Sequence, residues 1–257
     1  MSPSHLKKES LVDQVRTDIA NHDRGQRKPS IKAKQRSGTQ QASPEAWLFN
    51  NRWPQLAQPR TIIDVGVGRG TSNLYQAYPS AYYLLIEPVE EFSFNIKNIL
   101  RRHKGLWIRA AASSVPGKQT FFVNNKFFQI SSFFANTNNA ALADELEARE
   151  VDVVRLDQLV EGLGLAGPYI IKTDTEGFDL EVLEGAGKLL QQTTFVISEC
   201  RADSDLTGPT LNNIIKFLFS NNFEIVDLLD LKWEKNGRLR WANIVFVNQT
   251  HLSALPR

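Results

Sequence analysis

The stretch that most constrains this chain is Thr61-Ile-Ile-Asp64-Val-Gly66-Val-Gly68-Arg-Gly70, with Tyr83-Leu-Leu-Ile-Glu87 following it. Each opens as an apolar run short enough to be a strand buried on both faces. The first runs into alternating glycines and then Thr71-Ser72-Asn73, side chains suited to capping a helix start. The second ends in an acid. A buried strand, a tight turn and a helix, beside a neighbouring strand closed by a carboxylate, are the parts of a nucleotide site, because that carboxylate can accept hydrogen bonds from both hydroxyls of a ribose. A dinucleotide turn requires Gly-x-Gly-x-x-Gly, and its third glycine position, counted from Gly66, holds Thr71. The pattern present is Asp-x-Gly-x-Gly-x-Gly.

A chain of 257 residues, 42% hydrophobic and 23% charged, suits one large α/β domain and leaves little room for a second. No apolar run approaches the roughly 20 residues that span a bilayer. The start Met-Ser-Pro-Ser-His-Leu-Lys-Lys lacks the apolar core of a secretory signal, so the expected location is cytoplasmic. The single cysteine, Cys200, excludes an internal disulfide framework and a cysteine-rich zinc site. Charge is unevenly spread: residues 1–45 hold nine Lys and Arg against five Asp and Glu, and the rest holds twenty-one against twenty-three. Residues 6–21 can form an amphipathic helix, a candidate for docking or dimerisation. The basic arm after it, Arg24 through Arg36, has no aromatic residue for base stacking, which argues against a nucleic-acid partner. Residues 1–42 are therefore read as helix and arm, and the domain as 43–257, opening at Ser43-Pro44 with Trp47 and Leu48 turned to the body.

Beyond Glu87, residues 91–103 read as a helix with a cationic end, 106–111 and 118–124 as strands, and 125–141 as an irregular aromatic segment suited to a lid or to packing. A strand is expected at 151–156, a short helix at 157–162, a buried strand at 169–173 and a helix at 178–190. Then come a strand at 194–198, a helix at 211–220 and a strand pair at 223–229 and 242–247, with Asn236-Gly237 as a tight-turn signal. Alternating strands and helices imply a Rossmann-like, doubly wound α/β fold. Its sheet would be mostly parallel with an antiparallel C-terminal pair, and helices would cover both faces.

The glycine turn resembles the first motif of the class I methyltransferases, which bind S-adenosylmethionine. A more specific likeness lies at Ile171-Lys172-Thr-Asp174-Thr-Glu176-Gly177-Phe-Asp-Leu-Glu181-Val-Leu183-Glu-Gly185, which is similar to the Lys-x-Asp-x-Glu-Gly strand and following helix of the FkbM-type methyltransferases. Arg155-Leu156-Asp157-Gln-Leu159 and Ala110-Ala111-Ala112-Ser113 with Gly117 extend it, over roughly residues 43–250. One departure is Val67-Gly68, where that family commonly has Ala-Asn. The resemblance implies an S-adenosylmethionine-dependent enzyme acting on hydroxyls of sugars, polyketides and other secondary metabolites. Asp64, Gly66, Gly68 and Gly70 would let the backbone approach the cofactor, and Glu87 would hold its ribose. Pro88, Ala110 and Ala111 would flank the adenine.

In an open parallel sheet ligands sit beyond the carboxyl ends of the strands, so Asp64, Glu87, Asp174 and Glu199 should converge on one rim. Methyl transfer to an alcohol needs an oriented oxygen and a group to take its proton. None of the four histidines lies in a strand-end motif, which leaves carboxylates or a metal-bound alkoxide. Asp174 is the first candidate base, or else a metal ligand or a contact to the cofactor's amino group, and Glu176 is the second candidate base. Glu199 could join Asp174 as an oxygen ligand for a divalent metal such as magnesium, or simply pair with a cation. The plainer reading places Glu176 and Asp179 in the first turn of a helix, where acids suit the dipole. Three functions follow: O-methylation of a small hydroxyl-bearing acceptor, methylation of an amine or macromolecule guided by the basic arm, and a catalytically silent scaffold that keeps the cofactor fold.

Overall fold

The structure, a computed structural model, describes residues 58–134, 145–202 and 209–252. The expected N-terminal helix and its dimerising role, the basic arm, the domain start at residue 43 and the far part of the aromatic segment, 135–141, lie outside these residues. The first strand is β1 (Thr61–Val65), followed by α1 (Ser72–Ala77), β2 (Tyr82–Ile86), α2 (Ser93–Leu100), β3 (Gly105–Ile108), β4 (Ala111–Ala112) and β5 (Gly117–Asn124). Then come β6 (Leu146–Val154), α3 (Leu156–Leu163), β7 (Tyr169–Thr173), α4 (Asp179–Ala186), β8 (Thr193–Arg201), α5 (Leu211–Ser220), β9 (Phe223–Trp233), β10 (Leu239–Asn248) and α6 (Gln249–Leu252).

Seven strands form the main sheet in the order β3-β2-β1-β7-β8-β10-β9. The pairings from β3 through β8 are parallel, and β10 runs antiparallel to both β8 and β9. The fold is thus Rossmann-like, with the C-terminal antiparallel pair anticipated from Asn236-Gly237. Strand alternation divides the core between two faces. Ile62, Tyr83, Leu85 and Phe195 pack with Leu74 of α1 and Ile96 of α2. Ile63, Leu84, Ile86 and Val196 pack with Leu159 of α3, Val182 of α4 and Leu218 of α5. The chain order reverses at β1, whose neighbours are β2 and β7. That switch point opens the crevice in which α/β sheets bind ligands.

Several elements differ from the sequence reading. The helix expected at 91–103 is a 3-10 turn, Glu90–Phe92, followed by the shorter α2. His103 lies after it, with its ring 5.8 Å from Tyr75 and 5.2 Å from Tyr83. The single strand expected at 106–111 is split between β3 in the main sheet and β4 in a second sheet of order β4-β6-β5. After Ile108 the chain leaves β2 and runs parallel to β6, and β5 folds back antiparallel on β6. This small sheet brings Phe121 and the segment after β5 over the switch point. The helix after β7 ends at Ala186 and continues as a 3-10 segment, Gly187–Gln192. Thr71 occupies the N-cap of α1 without a side-chain cap bond and stands beside the buried Asp64 carboxyl.

None of the described helices is long and apolar enough to cross a membrane. Phe246, fully buried in the middle of β10, fills the core between β8 and α5. Phe246→Ala should cost about 3–5 kcal/mol of unfolding free energy, read from the midpoint of a urea transition.

Candidate active site

Beyond the ends of β1, β2 and β7 lies a cleft walled by the glycine turn, Ile86 to Val89, Ala111, Ala112 and Phe121. Residues after β5, together with Lys172, Asp174, Thr175 and Glu176, complete it. Gly66 N–H donates to Ile86 O at 3.0 Å, and Asp174 N–H donates to Val65 O at 3.0 Å. A Cβ on Gly66 would stand 1.9 Å from Asp174 O, and its φ is +75°, so the close meeting of the two motifs depends on glycine. Gly68, at φ +50°, donates its N–H to Glu87 Oε2 at 2.8 Å, while Val89 N–H donates to Oε1 at 3.0 Å. Glycine takes that left-handed φ without steric cost. Burial pushes the Glu87 carboxyl up to about 7 despite both amide donors.

A buried cation ties the two motifs together. Lys172 lies 3.0 Å from Asp174 Oδ2 and 3.9 Å from Asp64 Oδ1, with its side chain only 8% exposed. Burial alone would lower its pKa, but Asp174 and then Asp64 outweigh burial and raise it. Asp64 is fully buried, and its Oδ2 accepts the Tyr75 hydroxyl proton. Burial raises its pKa, opposed chiefly by Lys172. For Asp174 the balance is reversed: burial pushes the pKa up, yet Lys172 and a hydrogen bond from Glu199 hold it below the usual value.

Three carboxyls, from Asp174, Glu176 and Glu199, bring their oxygens within 4.8 Å of one another. Burial, and then the charge on Asp174, push Glu199 up to about 10, so at neutral pH it carries a proton and donates to Asp174. Burial and Asp174 push Glu176 up to about 7, with Arg201 opposing. Asp179 is raised to about 6 by burial, then Asp174, and accepts the Thr175 N–H at 3.3 Å. Glu176 precedes α4 and has φ +55°, so it is not a first-turn helix acid; only Asp179 fits that plainer reading. A non-glycine residue held there stores roughly 1–3 kcal/mol of strain. Ser132 Oγ–H donates to its carbonyl at 3.1 Å and helps to keep it there.

The cleft wall includes Gly66, Gly68, Gly70, Glu87, Pro88, Ala111, Asp174 and Glu176. Asp64 stands behind the wall, Ala110 is buried in the core, and Glu199 reaches the site through its contact with Asp174. Cys200, fully buried in the core, has its thiol pKa raised by burial. Sequence reasoning missed Lys172 as a site residue, although a lysine two positions before an aspartate on a buried strand shares its face and needs a partner. It also missed Phe92, and it placed Phe128, Gln129 and Phe133 only within the 125–141 segment read as a lid or as packing; all four line the cleft.

A family model described as "Methyltransferase FkbM domain" matches residues 64–225. "Methyltransferase 1" of Beauveria bassiana (strain ARSEF 2860) is 30% identical over 142 residues, covering 48% of this chain and 57% of that protein. "Hexuronic acid methyltransferase AglP" of Haloferax volcanii is 45% identical over 49 residues, covering 19% of this chain and 20% of its own length. The matches thus span less than two thirds of either relative. Among solved structures, magnesium protoporphyrin IX methyltransferase from Synechocystis PCC 6803 with bound S-adenosylmethionine is 14% identical. That match covers 94% of this chain and 99% of the other at a TM-score of 0.42.

Lys172→Met leaves Asp64 and Asp174 without their cation. The variant should lose about 3 kcal/mol of stability at neutral pH. The Asp174 pKa then rises and the already raised Asp64 pKa rises further, so the deficit should shrink as the pH falls and they protonate. Urea titrations of both proteins at pH 7.5 and pH 4.5 read this difference.

Proposed function

Since the chain belongs to the FkbM methyltransferase family, we propose that it transfers a methyl group from S-adenosylmethionine to a hydroxyl of a small molecule, a sugar or secondary metabolite. The observation that carries this reading is one cleft that joins the glycine turn and Glu87 to the Asp174, Glu176 and Glu199 cluster. The relative named as a hexuronic acid methyltransferase supports a sugar as the acceptor.

The residues present fit the cofactor. Backbone at Gly66, Gly68 and Gly70 is open to close approach, and Glu87 offers a carboxylate to a ribose diol. Pro88 and Ala111 supply apolar surface for a base, and Asp174 a charge for an amino group. Bound S-adenosylmethionine supplies an already activated methyl carbon, so the protein's task is to orient the acceptor oxygen and take its proton.

Asp174 and Glu176 divide the acid–base work. Asp174, held ionised by Lys172 and by the Glu199 proton, is a weak base and a better partner for positive charge. Glu176, raised to about 7, gains a proton readily at working pH and is the better general base. The Glu199 proton and the Lys172 ammonium already offset the charge of this cluster. The same three carboxyls also stand close enough together to serve as oxygen ligands of a divalent metal such as magnesium.

A base works only when deprotonated. With wild-type protein, kcat/KM should fall about tenfold per pH unit below about 7 and level off above it. In assays of labelled methyl transfer from S-adenosylmethionine to a panel of sugars and hydroxylated metabolites, Glu176→Gln should lower kcat by about 10²–10⁴-fold. Cofactor affinity measured by calorimetry should be retained. Failure of the wild-type protein to bind the cofactor would overturn the reading. Turnover should also be indifferent to EDTA and to added magnesium; strict metal dependence would reassign the three carboxyls as ligands.

A further inference from the structure

Arg201, the last residue of β8, lies two positions beyond Glu199 and is half-buried opposite Trp241 of β10. Its Nη1 stands 3.4 Å from the point where a Cβ on Gly177 would be, and carbons of the Phe134 ring stand 3.7 Å from the same point. Glycine at 177 thus lets a guanidinium and an aromatic ring both come close to the backbone immediately after Glu176. Phe134 and Phe178 meet in a tilted arrangement with centroids 5.6 Å apart, and Phe178 meets Phe133 of the cleft wall at 4.4 Å. An apolar ledge therefore runs from the cleft to Arg201.

The charges around this ledge do not balance in the way those deeper in the site do. Lys172 is matched by Asp174 at 3.0 Å and by Asp64 behind it. Arg201 has no carboxylate within ion-pair distance among the described residues. The Glu176 carboxyl feels the positive charge of Arg201 and, more weakly, of the exposed Arg240. A half-buried guanidinium facing an aromatic ledge is suited to an oxyanion, a carboxylate or phosphate that it can grip through two parallel hydrogen bonds.

We propose that Arg201 is the acceptor-recognition residue of this site, and that the acceptor carries an oxyanion, a carboxylate or a phosphate, beside the hydroxyl that is methylated. The proposal rests on the methyltransferase reading above and adds the class of acceptor to it. The acceptor's apolar ring face lies on the phenylalanine ledge, its anion engages Arg201, and its hydroxyl is thereby presented to Glu176. Arg240 adds to the positive field at the rim. A merely electrostatic role for Arg201, in which it tunes Glu176, would affect neutral and anionic acceptors alike.

The test uses the full chain saturated with S-adenosylhomocysteine, whose binding is measured first on the same samples. Glucose, glucuronate and glucose 6-phosphate are then titrated in by calorimetry. Wild-type protein should bind at least one of the two anions about 10–100-fold more tightly than glucose, the range set by hydrogen bonds to a charged group. The two anionic arms distinguish carboxylate from phosphate. Arg201→Gln should remove that preference while leaving glucose binding within about twofold, and Arg201→Lys should restore part of it. Circular dichroism of each variant checks that it is folded. Intact S-adenosylhomocysteine binding with no preference for either anion, or an equal loss for glucose and the anions in Arg201→Gln, overturns the assignment of Arg201. Absence of S-adenosylhomocysteine binding instead removes the methyltransferase reading on which it stands.

Discussion

One buried ammonium sets the terms for the rest of the site. Lys172 leaves β7 between the carboxyls of Asp64 on β1 and Asp174 just past its own strand. A cation with 8% side-chain exposure persists only when it is paired and hydrogen-bonded. This requirement brings the β1 and β7 motifs into contact, where Gly66 is the residue that lets the two backbones meet. The cleft at the switch point is thus electrostatically closed on its floor and chemically open along its wall.

From that pairing the protonation pattern follows. Burial, and then the charge that Lys172 keeps on Asp174, push the neighbouring acids upward: Glu199 holds its proton, and Glu176 and Asp179 are raised to about 7 and about 6. Residues with the same functional group therefore differ in role through their surroundings. Asp174 anchors charge and Glu199 donates a hydrogen bond, while Glu176, strained in the left-handed region, is free to exchange a proton. The strain and the intermediate pKa meet in one residue, which is a common feature of functional sites.

Parts of this arrangement were legible in local patterns. The apolar runs before Gly66 and Glu87, and the Lys172-to-Gly177 strand end, announced a parallel sheet whose strand ends meet at a cleft, since buried strands and glycine turns are written in consecutive residues. Asn236-Gly237 announced the final hairpin for the same reason. Less legible was the second sheet, because the two residues of β4 make no periodic signal and depend on β6, far along the chain. The inward-facing Phe128 and Phe133 were hidden in a segment with no regular spacing. Ala110 looked equivalent to Ala111 in sequence, but the turn after β3 sends it into the core.

The sequence by itself determined the doubly wound fold, the family to which the chain belongs and the set of acids available at the strand ends. These depend on side-chain period, turn chemistry and short motifs, all of them local. Tertiary structure alone decided which acid is charged, which is neutral and which sits between, because a pKa depends on burial and on charges brought from other strands. It also decided that Gly68 turns its amide to the Glu87 carboxyl and that Arg201 stands beside Gly177. Chemistry at this site is a property of neighbours in space, and those neighbours are chosen by the packing of the whole sheet.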